Sequence, residues 1–135
     1  MGWGLCVGDC AVSSRRPRAG YQSVTPRLVV SDVAAQVRFL QDVFAAIGEV
    51  EPGRPAEVRI GGSVIMISST GEREQFPAFL YVYVDDADEV FRRAVVAGAD
   101  VLEEPLDTPY GDRRAMVRDP FGNVFQIAHP ASASE

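Results

Sequence analysis

Three arginines, a run of alternating aromatics and two carboxylates are the residues of this chain best equipped for chemistry. Arg27, Arg59 and Arg114 each carry a rigid, multi-donor guanidinium; brought together, they would hold a carboxylate, a phosphate or an enolate oxygen. Phe79, Tyr81 and Tyr83 occupy alternate positions, and with Phe76 and Tyr110 they offer ring faces for a planar ligand to stack on. Glu57 and Asp112 are the acids to consider for proton transfer, and Glu57 and Arg114 are the candidate catalytic groups. The opposing arrangement stays open: Arg59 pairs with Glu57 or Glu103, and the other arginines reach solvent. His129, the one histidine, adjoins Pro130 near the chain end and reads as a surface residue. No Ser-His-Asp or Cys-His arrangement is therefore available. Cys6 and Cys10 read as free thiols in an irregular leader. Gly61-Gly62 and Gly122 mark hairpins, not a phosphate loop, because neither opens a helix.

The elements that must position these residues come in duplicate. Val30-Ser31-Asp32 leads into an amphipathic helix and then the glycine hairpin Ile60-Gly61-Gly62-Ser63. Val84-Asp85-Asp86 leads into a second helix and the hairpin Asp119-Pro120-Phe121-Gly122-Asn123. Such a repeat predicts two half-units sharing one core, with a cavity between them. Residues 23–30 are strand-like, Asp32 caps a helix whose apolar face runs from Val33 to Ile47, and Gly48 ends it. Residues 49–55 leave room for a short strand, and 56–60 and 64–68 form a hairpin. After a connection at 70–77, the second half reads as strand 79–84, a helix from about Ala87 to Gly98, strand 101–106, a loop at 108–112, and paired strands 113–118 and 123–128. The order is β-α-β-β-β, twice.

Alternation sorts each strand into two rows. One, including Leu28, Val58, Ile67, Val82, Val117 and Phe125, is apolar and must carry the helices. The other contains Thr25, Arg27, Glu57, Arg59, Met66, Phe79, Tyr81, Tyr83, Arg114, Met116 and Gln126, a mixture suited to a binding cavity. The fold class is α+β, two βαβββ modules forming a concave mixed sheet with the helices outside.

The 135 residues allow one substantial core, and 47% hydrophobic with 24% charged residues describes an ordinary globular chain. A net charge of −6 argues against nucleic acid and is compatible with a cationic ligand. No apolar run reaches the roughly 20 residues that span a bilayer, and no secretory signal is evident, so the expected address is cytoplasmic. Residues 1–20 read as a flexible leader, 21–130 as one domain of two modules (about 21–69 and 78–130), and 131–135 as a tail.

The segment PYGDRRAMVRDPFGNVFQIA at 109–128 strongly resembles the last strands of the vicinal oxygen chelate superfamily. VTPRLVVSDVAAQVRFLQDVF at 24–44 and IGGSVIMIS at 60–68 resemble its other parts, and the likeness covers roughly residues 22–130. That superfamily holds glyoxalase I, extradiol dioxygenases, fosfomycin resistance enzymes and bleomycin-binding proteins; the chain looks like its small PhnB-like branch. The resemblance implies a homodimer with cavities near the interface. In metal-dependent members, side chains of the concave face hold a divalent ion; by motif register those positions fall on Thr25, Met66, Phe79 and Gln126. Thr and Gln are weak donors, Met is soft and Phe has no donor atom, so no metal and no cofactor is expected.

The leading expectation is a metal-independent small-molecule-binding protein that sequesters a planar, amphipathic or anionic metabolite or antibiotic, as in bleomycin resistance. Phe79, Tyr81, Tyr83 and Met66 would hold the ligand, and Arg27, Arg114 and Gln126 would fix its polar groups. Thr25, Arg59, Tyr110 and Met116 would complete the lining. The competing enzyme reading is a metal-free isomerase, epimerase or lyase whose arginines stabilise an enolate. A dimeric interaction module with a filled cavity comes third, and a metal-dependent glyoxalase or dioxygenase last.

Overall fold

The computed structural model describes residues 17–71 and 74–131, so the leader up to residue 16, with Cys6 and Cys10, lies outside it. The first module contains β1 (Arg27–Val30), α1 (Val33–Phe44), β2 (Ala56–Ile60) and β3 (Ser63–Ser69). The second contains β4 (Phe79–Tyr83), α2 (Ala87–Val96), β5 (Asp100–Asp107), β6 (Asp112–Arg118) and β7 (Val124–Pro130). Their sheets run β1-β3-β2 and β4-β7-β6-β5, each with one parallel pair, β1 with β3 and β4 with β7. This is the expected α+β architecture of paired modules, carried by two sheets.

The helices start where their caps dictate. The Asp32 carboxylate accepts from Ala35 N at 3.0 Å, and Asp86 accepts from Glu89 N at 3.2 Å. α1 stops three residues earlier than the apolar spacing predicts. Ala45 turns left-handed (φ 58°) and its N–H returns to Gln41 O, which frees Ile47 to exchange both backbone hydrogen bonds with Arg59. That single bridge stands where the repeat calls for a further strand in the first module, so residues 49–55 form none. Gly48 is therefore not the helix stop. It has φ 143°, and a Cβ there would lie 2.3 Å from Glu57 O, so it lets the chain pass against β2. In the connection, Phe76 forms an antiparallel bridge to Val29.

One core serves both modules. Leu28, Ile67, Phe125 and Ile127 are fully buried, as the apolar row predicts, and so is Leu40 of the helix face; each such side chain contributes about 1.5–3 kcal/mol. The α1 rings Phe39 and Phe44 sit 6.2 and 5.3 Å from Phe125 of β7, so a helix of one module closes a sheet of the other. A buried polar seam fixes the same junction. Gln36 of α1 donates to Asp119 Oδ2 at 2.9 Å and accepts from Asn123 Nδ2 at 2.8 Å, while Asp119 Oδ1 accepts from Phe121 N and Asn123 N. Burial holds the Asp119 carboxyl above its ordinary value, against the opposing effect of these hydrogen bonds. His129 is also more than surface: its Nδ1 accepts from Ala87 N at 2.8 Å, at the first residue of α2.

Candidate functional site

On the second sheet, alternation and register assemble a face turned away from the helices. Tyr81, Gln126, Met116 and Glu103 lie in one row across β4, β7, β6 and β5. Tyr83, Ala128 and Arg114 form the next row, and Phe79 and Val124 the one before. Ala128, between Tyr83 and Arg114 in its row, is 0% exposed. The aromatic rings remain open: Phe79 is 66%, Tyr83 61% and Tyr110 62% exposed, and the Tyr81 and Tyr83 centroids stand 5.3 Å apart. Solvent-facing rings in this number on one sheet are what a binding surface presents.

Beneath the rings lies a carboxylate. Asp112, 7% exposed, accepts at Oδ2 from Tyr81 Oη at 2.6 Å and from Tyr83 Oη at 2.8 Å. A tight loop holds it: Thr108 Oγ1 donates to Asp112 O and accepts from Asp112 N, both at 2.9 Å, around Gly111 at φ 101°. Tyr81 and Tyr110 hydroxyls are 3.3 Å apart, and Arg114 Nη1 donates to Tyr110 at 2.9 Å. Arg114 is also clamped to Glu103 Oε1 through Nη2 (2.7 Å) and Nε (3.2 Å), and that hydrogen bonding raises its pKa further. Burial first, then the bond to Asp112, pushes the Tyr81 phenol well up; for Tyr83 the bond to Asp112 leads. Both therefore stay protonated and donate.

The first sheet presents a different surface. Arg27 Nη2 approaches Met66 Sδ at 3.5 Å, and Arg59 Nη2 donates to Gly20 O at 3.3 Å. Glu57 accepts from Arg18 at 2.6 Å and lies 3.7 Å from Arg54. Hydrogen bonds from Tyr21 and Arg18 hold its carboxyl below the usual range, which makes it a poor base. The Gln22 side chain bonds both Val64 O and Val64 N, pinning the segment that precedes β1. Arg18 and Gly20, inside the expected leader, thus contact this sheet. The three arginines do not converge: each has its own partner, and Arg114 lies on the other sheet from Arg27 and Arg59.

A cleft of about 500 Å³ separates the modules at the free edge of β4, lined by Gln22, Val24, Pro26, Ile60, Tyr81 and Tyr83 among others. Of the predicted site residues, Tyr81 and Tyr83 line it. Tyr81, Tyr83, Tyr110 and Arg114 are joined by hydrogen bonds through Asp112, with Met116 and Gln126 in the adjoining row. Glu57, Arg27, Arg59 and Met66 belong to the first sheet, with Thr25 just before β1. Glu103 is the addition, while Asp112, considered in the sequence for proton transfer, serves here as the acceptor that the two tyrosines share. Asp112 stands two residues before Arg114, so carrying the row one step back along β6 would have included it.

The donor set at the four positions where the resemblance implies a metal does not suit one. Thr25 and Phe79 precede or begin a first strand, Met66 and Gln126 face Arg27 and Tyr81, and the set offers one thioether, one hydroxyl, one amide and one phenyl. Among the described residues, no three His, Cys, Asp or Glu side chains group as metal ligands. No described helix is long and apolar enough to cross a membrane.

A family model described as glyoxalase/bleomycin resistance protein/dioxygenase superfamily matches residues 21–127. The chain belongs to that superfamily. It is 32% identical over 127 residues to the uncharacterized protein Rv0887c of Mycobacterium tuberculosis, across 80% of this chain and 74% of that protein. A shorter likeness, 47% over 55 residues, links 37% of this chain to 20% of the anthracycline biosynthesis protein DauV of a Streptomyces species. Among solved structures, TioX from Micromonospora sp. ML1 superposes with a TM-score of 0.70 at 28% identity, over 81% of this chain and 98% of TioX.

Proposed function

We propose that this superfamily member binds a small flat molecule on the concave face of its second sheet, without a metal, and acts by sequestering it. The observation that carries the reading is the row of open aromatic rings, Phe79, Tyr81, Tyr83 and Tyr110, above a hydrogen-bonded Asp112. The donor set at Thr25, Met66, Phe79 and Gln126 supports metal independence. The family's bleomycin resistance members and the anthracycline biosynthesis protein DauV support an antibiotic or a related flat metabolite as ligand. The isomerase reading lacks its catalytic pair: Glu57 and Arg114 lie on separate sheets, each held by its own counter-ion. A homodimer that covers the exposed Phe76 and leaves the ring row accessible belongs to the same proposal.

Calorimetric titration with bleomycin, an anthracycline and simple tricyclic aromatics, in chelator, tests it. Saturable binding of at least one compound, recovered chemically unchanged, is expected. No binding across the panel, or binding that returns only with Zn, Ni, Fe or Mn, would overturn it. Light scattering after size exclusion checks the dimer.

A further inference from the structure

Resting on that binding role, we infer that the ligand is a flat aromatic cation with an N–H donor, and that Asp112 anchors that cationic N–H through Oδ1. The direction of the hydrogen bonds carries the inference. Tyr81 and Tyr83 both donate to Asp112 Oδ2, so their oxygens have only acceptor capacity left. Arg114 donates to Tyr110, so the Tyr110 proton is free to run on to Tyr81. The chain of donors points one way, from Arg114 through Tyr110 and Tyr81 to Asp112. With the Tyr81 and Tyr83 protons committed to Asp112, the hydroxyls beside that carboxylate offer a ligand acceptor lone pairs.

The charges agree. The guanidinium that would have recruited an anion is clamped by Glu103. Glu103 and Asp112 against Arg114 leave the network one negative charge in excess. Asp112 Oδ1 receives no hydrogen bond from a described residue. Ser68 Oγ is the one buried side-chain polar atom without a partner among the described residues, so Oδ1 keeps contact with solvent. A carboxylate that is 7% exposed, half-satisfied and met by the hydroxyls of two partly open tyrosine rings suits a flat cation, which gains the charge-assisted bond while its ring system lies along theirs. The first sheet holds such an arrangement internally: Arg18 donates to Glu57 at 2.6 Å while its guanidinium carbon lies 4.6 Å from the Tyr21 ring centroid.

Three probes of similar tricyclic shape and different charge test the inference on the full chain: proflavine (cationic at neutral pH), acridone (neutral) and 9-anthracenecarboxylate (anionic). Proflavine is expected to bind about tenfold or more tighter than acridone, and the anthracenecarboxylate weakest. Added salt should weaken proflavine and leave acridone unchanged. Asp112→Asn should bring proflavine down to the affinity of acridone. Equal affinity for all three, or preference for the anion, overturns the cation anchor and leaves the binding role standing. Failure of all three to bind overturns both. The salt dependence is read on the unaltered chain, so a folding defect in Asp112→Asn cannot shelter the inference.

Discussion

The two concave faces grow from one plan and end as opposites. By strand register, Arg27, Val29, Met66, Ser68 and Glu57 of the first sheet correspond to Tyr81, Tyr83, Gln126, Ala128 and Met116 of the second. The first face is polar and met by the chain itself, with Glu57 paired to Arg18 and Arg59 donating to Gly20 O. The second is aromatic and left open, with Asp112 held by the tyrosines and Glu103 clamped to Arg114. Because side chains alternate in a strand, the row that faces the helices can keep the fold while the opposite row changes its chemistry freely. A duplicated scaffold therefore does not imply a duplicated site.

The largest expected effect comes from the seam that holds the modules together. Asp119→Ala leaves Gln36 Nε2 and two backbone N–H groups without their acceptor, and should cost about 3 kcal/mol in denaturant unfolding. The sign of its pH dependence follows from the raised carboxyl. The folded state binds the proton more tightly than the unfolded one, so this group adds stability as pH falls from neutrality through its folded value. Measured against Asp119→Asn, the unaltered protein should gain stability on acidification over that window.

Corresponding positions on the two sheets should respond in opposite directions. Ala128→Phe forces a ring into a fully buried position between Tyr83 and Arg114, and should destabilise by about 1–3 kcal/mol while abolishing ligand binding. Ser68→Ala removes a buried hydroxyl that has no partner among the described residues, and should be neutral or stabilise by up to roughly 1 kcal/mol. Thermal unfolding of both variants would show whether the faces are as different as their contacts. The smallest effect is expected at Arg18→Ala, which breaks a solvent-exposed pair and should change stability by about 1 kcal/mol or less, fading in salt.

The apolar rows were readable in the sequence because burial repeats every second residue, and Leu28, Ile67, Phe125 and Ile127 all lie in the core. The tyrosines were readable for the same reason. The partners of the arginines were not. β5 slips register between Val101 and Glu103 and again before Leu106, and that irregularity brings Glu103 beside Met116, within reach of Arg114. The early end of α1 was hidden too, since Ile47 continues the helical spacing and leaves it only to pair with Arg59, a contact set by tertiary structure.

The most direct test of the difference between the faces is a proflavine titration, in chelator, of Tyr83→Ala beside Arg27→Ala. Tyr83→Ala should lose about tenfold or more in affinity, and Arg27→Ala should stay within about threefold of the unaltered protein. Equal losses, or a greater loss at Arg27, would contradict the assignment of the site to the second sheet.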